Sequence, residues 1–318
     1  MKKIIWASYA ARRFLKKKLH IKRKPGSPYG GRRFTSDEEA AKELAGLIKS
    51  GKPFMAGRLG LFETAVMRMY EFGIKKKYAL TMDNLYNCAG FFPKDISLGG
   101  RFTELMKDGL GQTDILACNL EFLEDYFVKT CLPKESVITK KFTLYENHKL
   151  DTHWSAALEG KKVLVVTPFS DSVKQQYEKR ELLYKGSDIL PEFELLTYKS
   201  LMTVGDLKDD RFENWFEALE FMEKEIASID FDIALLGCGA YGFALAAAIK
   251  RSGRQAVHMG GVLQLLFGIM GRRWDGSRFG GAEKMEASLK KYYNEAWTYP
   301  IEGKPAEASG VEYGPYWK

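Results

Sequence analysis

Apolar and polar positions follow two periods along this chain. Short continuous apolar runs, Val163-Leu164-Val165-Val166 and Ile233-Ala234-Leu235-Leu236, have the length and composition of buried strands. Between them, Phe212, Trp215, Phe216, Leu219, Met222, Ile226 and Ile229 recur at helical spacing. Pro53 to Arg58 reads as a further strand, with helical spacing from Phe62 to Phe72 behind it. The Ile233 run breaks into Gly237-Cys238-Gly239-Ala240-Tyr241-Gly242, continues as an apolar helix to Ser252-Gly253, and gives way to the strand Gln255 to Met259. Upstream, Ser36 and Glu39 make a capping box for a helix whose apolar face is Ala41, Leu44, Leu47 and Ile48, ended by Ser50-Gly51. Strands alternating with helices predict an α/β fold, a Rossmann-like and mostly parallel sheet flanked by helices.

Residues 83–160 carry weaker periodicity, with Asn87 to Pro93 expected as a loop, and are expected to cover a pocket or face an acceptor. Pro25-Gly26-Ser27-Pro28-Tyr29-Gly30-Gly31 reads as a linker. The expected organisation is a basic arm and linker over 1–33, then one α/β catalytic domain over 34–318.

Charge sharpens that division. Residues 1–33 hold twelve Lys or Arg and no acid, leaving 37 basic against 41 acidic residues beyond, so a formal charge of +8 hides a mildly acidic body. A nucleic-acid-binding domain is therefore not expected. In the arm, Ile4, Ala7, Ala11, Phe14, Leu15 and Leu19 share one side of a helix, which suits either an anionic membrane surface or a partner-packed basic helix over residues 1–24. No run is long enough to span a bilayer, and Arg12-Arg13 break any secretory signal core. The expected location is cytoplasmic, peripheral on the inner face of a membrane. The four cysteines, Cys88, Cys118, Cys131 and Cys238, lack paired metal-type spacing and suit a reducing compartment.

Candidate chemistry gathers at three strand-to-helix junctions, 57–63, 167–172 and 237–242, which a parallel sheet brings to one edge. At the last, Gly237, Gly239, Ala240, Tyr241 and Gly242 make a turn whose amides and helix end suit phosphate; tight strand–helix packing is the plainer alternative. A nicotinamide site would place an acid at the end of the next strand, where this chain has His258. His258 could be a base, a nucleobase contact or a core histidine. At the first junction Arg58 could grip phosphate bidentately, and Glu63 could hold a divalent metal or accept a hydroxyl proton; a structural ion pair is the alternative. Ser170, Asp171 and Ser172 could cap their helix or meet a ligand. Arg272-Arg273-Trp274 could clamp phosphate or turn a surface corner. The aromatic tail, Trp297, Tyr299, Tyr313, Tyr316 and Trp317, is expected to staple the terminus to the core.

The segment Arg58-Leu59-Gly60-Leu61-Phe62-Glu63 resembles the Arg-(Phe/Tyr)-Gly-Asp-Gly-Glu motif of the GT-D-fold glycosyltransferases. Ala240, Leu245, Ala246, Gly253, Gln255, Ala256 and Gly260 are similar to the late Ala-x-x-Leu-Ala, Gly-x-Gln-Ala and final glycine pattern of that superfamily. The likeness covers roughly residues 50–75 and 230–268, and looks closest to an uncharacterised bacterial branch marked by Thr167-Pro168-Phe169, Gly260 to Gly268 and Arg272-Arg273-Trp274. It implies transfer of a sugar from a nucleoside diphosphate sugar to a hydroxyl of a cell-envelope glycan or lipid-linked acceptor. Arg58, Glu63 and His258 would fall at catalytic positions, and Gly60, Ser170, Gly237 to Gly242, Arg272 and Arg273 at nucleotide or phosphate positions.

The family's Asp-x-Glu pair implies Mn²⁺ or Mg²⁺ on the pyrophosphate, and Leu61 stands where its aspartate belongs. Metal dependence is thus open, with Glu63 the remaining ligand and Arg58, Lys174, Arg272 or Arg273 as cationic substitutes. Two other functions stay in view, a non-catalytic nucleotide- or glycan-binding scaffold and a dinucleotide-cofactor enzyme.

Overall fold

Seven strands form one sheet in the order β3-β2-β1-β7-β6-β4-β5. They are β1 (Phe54–Gly57), β2 (Ile115–Cys118), β3 (Val137–Lys140), β4 (Lys162–Thr167), β5 (Glu194–Lys199), β6 (Ile233–Leu236) and β7 (Gln255–His258). Every pairing is parallel, so the fold is Rossmann-like α/β. The computed structural model describes residues 2–18, 27–140, 143–207, 209–277, 285–306 and 316–318. Ten helices matter here: α1 (Lys2–Lys18), α2 (Asp37–Ser50), α3 (Leu61–Glu71), α4 (Lys75–Ala89), α5 (Gly99–Gln112), α6 (Glu124–Cys131), α7 (Ser170–Tyr177), α8 (Arg180–Leu183), α9 (Trp215–Ala227) and α10 (Tyr241–Arg251).

Both faces of the sheet are covered, which is why its inner strands read as unbroken apolar runs. Alternation survives in where each side chain goes. Met55, Leu164, Val166, Ala234 and Leu236 meet α3 to α6, α9 and α10 on one face. Phe54, Ala56, Val163, Val165, Ile233 and Leu235 meet α2, α7 and α8 on the other. The capping box at α2 is present, and the Gln255 side chain ties the end of that helix to the sheet by donating to the carbonyls of Leu47 (2.9 Å) and Lys52 (3.0 Å).

Several local expectations change. Residues 83–160 supply β2, β3, α5 and α6 to the sheet and its helical layer, and Cys88 to Gly90 to the cleft wall. The expected loop from Asn87 is helical as far as Ala89, because Gly90 in the left-handed region (φ 87°) is where α4 can end. In the described part of the expected linker, Tyr29 is buried and its hydroxyl donates to Glu124 Oε2 (2.7 Å), while the Arg32 guanidinium donates to the carbonyls of Lys134 (2.8 Å) and Ser136 (2.9 Å). This segment is bonded to the body.

Ser170, Asp171 and Ser172 do not cap their own helix. Phe169 is the N-cap and contributes no side-chain bond; the Glu302 carboxylate, arriving from the C-terminal segment, accepts from the amides of Asp171 (2.9 Å) and Ser172 (3.0 Å) and from the Ser172 hydroxyl. A full negative charge at the positive helix end outcompetes a neutral hydroxyl. The tail staple is present where it is described: Trp297 is buried beside Tyr184, and Trp317 packs edge-on to Phe169 with ring centroids 5.2 Å apart. Tyr313, and Leu19 of the arm, lie outside the described residues.

Candidate functional site

The carboxyl ends of β1, β4, β6 and β7 open into one cleft of about 1200 Å³, counting space open to solvent at its mouth. The chain winds outward from β1 to β3 and, after crossing over, outward again from β4 to β5. The cleft lies between those two halves, where open α/β sheets bind ligands. All three junctions contribute: Arg58, Gly60 and Glu63 from the first, Thr167 to Phe169 from the second, and Gly237 to Gly239 with Tyr241 from the third. His258, Gly260, Gly261, Gln264, Arg273, Tyr316 and Trp317 complete the wall. Gly239 and Arg58 therefore share one cavity. Ser170, Ala240, Gly242 and Arg272 are not among the lining residues, and Lys174 is exposed beside Asp171 at 3.5 Å.

Arg58 follows β1 and turns inward, its Nε donating to the Met259 carbonyl at 3.2 Å. Gly260 makes room for it. A Cβ at that position would stand 2.0 Å from Arg58 Nη2, and the backbone there has φ +66°. Burial, with the charge of Arg273, holds Arg58 below the usual guanidinium range, opposed by Tyr316 and Glu63. Arg273 sits close by, its Nη1 donating to the Tyr316 hydroxyl at 2.9 Å. Two guanidinium groups that repel each other thus line the same cleft, an arrangement that an anion between them would relieve.

Glu63, in the first turn of α3, curls back over Gly60. A Cβ on Gly60 would meet Glu63 Oε2 at 1.7 Å. Burial pushes the Glu63 carboxyl above its ordinary value, resisted by its own backbone amide and by the charge of Arg58. The folded protein consequently keeps this proton to higher pH than the unfolded chain. Stability is lost as pH rises from about 4.3, the unfolded glutamate value, through the raised folded value. Glu63→Gln is therefore expected to melt above the parent protein at pH 8, with the gap closing toward pH 4. Thermal unfolding across that range checks it, and a gap independent of pH would contradict it.

His258 is buried beneath Arg58, with Nδ1 3.0 Å from the Arg58 carbonyl. Since a carbonyl only accepts, Nδ1 carries a proton. Burial first, then the Arg58 charge, pushes its pKa down to about 3. Such a ring is a weak proton acceptor at neutral pH, and its contacts are those of a support for the β1 turn. Nε2 faces Gly242, where a Cβ would stand 2.6 Å away. In the glycine turn, Ala240 N–H donates to the Ala89 carbonyl (3.0 Å) and Gly239 has φ +59°, so α4 packs directly on the turn.

Other residues of the site carry no local sequence signal. Tyr145, from the weakly periodic middle region, donates its buried hydroxyl to the Gly57 carbonyl at 2.9 Å. Thr203 pairs with the Tyr241 hydroxyl at 2.8 Å. Gln264 donates through Nε2 to the Tyr316 carbonyl (3.2 Å), while its buried Oε1 has no partner among the described residues.

The donor set does not suit a divalent cation. Among the described residues Glu63 is the only carboxylate lining the cleft, burial favours its neutral form, and the charge acting on it is that of Arg58. Among the described residues no group of three His, Cys, Asp or Glu side chains is placed to hold a metal.

No protein-family model matches the sequence, and no curated protein matches it. A solved structure described as "Selenomethionine substituted structure of domain of unknown function 1792 (DUF1792)" is similar to this chain. It is 13% identical, with the match covering 85% of this chain and 91% of that one at a TM-score of 0.40.

Proposed function

We propose that the cleft binds a nucleoside diphosphate sugar and transfers its sugar to a hydroxyl of a glycan or lipid-linked acceptor. The observation that carries this is that Arg58 and Arg273 line the same cleft as Gly237 and Gly239 of the turn between β6 and α10, close enough that the Arg273 charge acts on Arg58. As the bond from sugar to diphosphate breaks, negative charge grows on the departing oxygens. Preorganised cations lower that barrier without reorganising solvent. Arg58 and Arg273 do this work in place of the metal that Leu61 and a lone Glu63 cannot hold.

Glu63 would take the acceptor hydroxyl proton in its ionised form, which the neighbouring Arg58 charge favours against burial. Tyr316 orients Arg273, and His258 holds the Arg58 turn. The unpartnered Gln264 Oε1 is available to a donor hydroxyl, and Phe169, Tyr241 and Trp317 supply aromatic walls. A nicotinamide dinucleotide fits less well, because β7 ends in a neutral histidine where a ribose-binding acid belongs.

Thermal-shift titration with nucleoside diphosphates, their sugars and nicotinamide dinucleotides, each with and without Mn²⁺, tests the proposal. Stabilisation by a diphosphate or its sugar without a requirement for Mn²⁺ is the expected outcome. A response to dinucleotides alone would overturn it. Tight donor binding with no turnover on any membrane-derived acceptor would mark a scaffold.

A further inference from the structure

We infer that α1 is a membrane-surface anchor that presents Ile4, Ala7, Ala11, Phe14 and Leu15 to an anionic bilayer. This rests on the arm and the segment beside its docking site, and stands apart from the sugar-transfer proposal. An amphipathic helix ordinarily turns its apolar side to the protein. Helix α1 does this with only part of its apolar surface. It docks through Trp6, whose ring lies 5.2 Å from Phe122 and 5.8 Å from Phe72, and through Lys2, 2.9 Å from Glu71. Ile5, Tyr9 and Ala10 are half-buried on the same side.

A second apolar set is left outside, with Lys3, Ser8 and Lys18 exposed as well. Ile4 is 73% exposed, Phe14 65% and Leu15 52%, with Ala7 and Ala11 exposed between them. At 3.6 residues per turn these five fall on one stripe about 100° wide. Among the described residues nothing covers this stripe.

Charge selects the occupant. Residues 1–33 contain twelve cations and no acid, and a second segment adds to them. Trp6 packs on Phe72, and the run Lys75-Lys76-Lys77 begins three residues later, with Lys75 and Lys77 exposed and Leu80 60% exposed. Two copies meeting through this stripe would bring like charges together. Anionic headgroups would neutralise them while the apolar side chains enter the acyl boundary. No helix among the described residues is long and apolar enough to cross a membrane, so attachment through α1 is to the surface.

The test is co-sedimentation of the full chain with vesicles of phosphatidylcholine alone or with phosphatidylglycerol added. Binding is expected only when phosphatidylglycerol is present, falling as salt is raised. Replacing both exposed side chains, F14E with L15E, should cut it by about tenfold or more, at an unchanged melting temperature. K75E with K77E should weaken binding while leaving the apolar stripe intact. Failure to sediment with phosphatidylglycerol vesicles, or binding indifferent to F14E and L15E, would overturn the inference. So would a dimer in sedimentation velocity that those two substitutions dissolve, since the stripe would then belong to a second copy.

Discussion

Replacing Arg58 with methionine is expected to weaken nucleoside diphosphate binding about 10- to 100-fold and to lower sugar transfer about 10²- to 10³-fold. Stability should move by less than about 1 kcal/mol. The separation of the two effects is the point. Arg58 is a guanidinium held in a buried cleft beside a second one, so the fold bears the cost of desolvating it. Methionine fills comparable volume without that cost, while giving up the guanidinium's bonds, that to the Met259 carbonyl among them. A residue present for structure would show the reverse pattern, with lost stability and unchanged ligand affinity. Calorimetric titration with the tightest diphosphate, alongside urea unfolding, distinguishes them. Unchanged affinity in the methionine variant would remove Arg58 from the site.

Trp215→Ala should destabilise the protein by about 3–5 kcal/mol. Trp215 is fully buried on the helical side of the sheet, stacked on Tyr241 at 5.0 Å and 11° and surrounded by Phe91, Phe102 and Phe216 at 5.3–5.5 Å. Truncation leaves a void among rings that are themselves fixed by neighbours, so collapse would be incomplete. The effect reaches the cleft, because Tyr241 is a wall residue whose hydroxyl is paired with Thr203. Ligand affinity should fall with stability, and Trp215→Phe should recover much of both. A loss under about 1 kcal/mol for the alanine variant would mean that the cluster can repack.

Much of the architecture was legible because β1, β4 and β6 are short apolar runs, β7 lies between Gly253 and Gly260, and α2, α3, α9 and α10 have clear helical spacing. β2, β3 and β5 were not. Ile115–Cys118 is four residues of mixed propensity, and Glu194–Lys199 is a half-buried edge with polar side chains, so neither shows a period. Within the site, Arg58, Glu63 and the Gly237 turn stood out through their place at strand ends. Arg272 and Arg273 could not be told apart by sequence, since one residue's rotation along a turn decides which lines the cleft. Tyr145 and Tyr316 were beyond reach because each acts on a residue distant in sequence. The capping by Glu302 was hidden likewise, as a hydroxyl at the expected position is a local signal and a carboxylate arriving from the tail is not.

Gly260 and Arg58 belong to opposite ends of the domain, yet the guanidinium occupies the space a side chain on Gly260 would need. The two positions are therefore coupled: a larger residue at 260 would have to displace the guanidinium and accept a left-handed backbone, whereas without the arginine only the backbone's preference would stand against it.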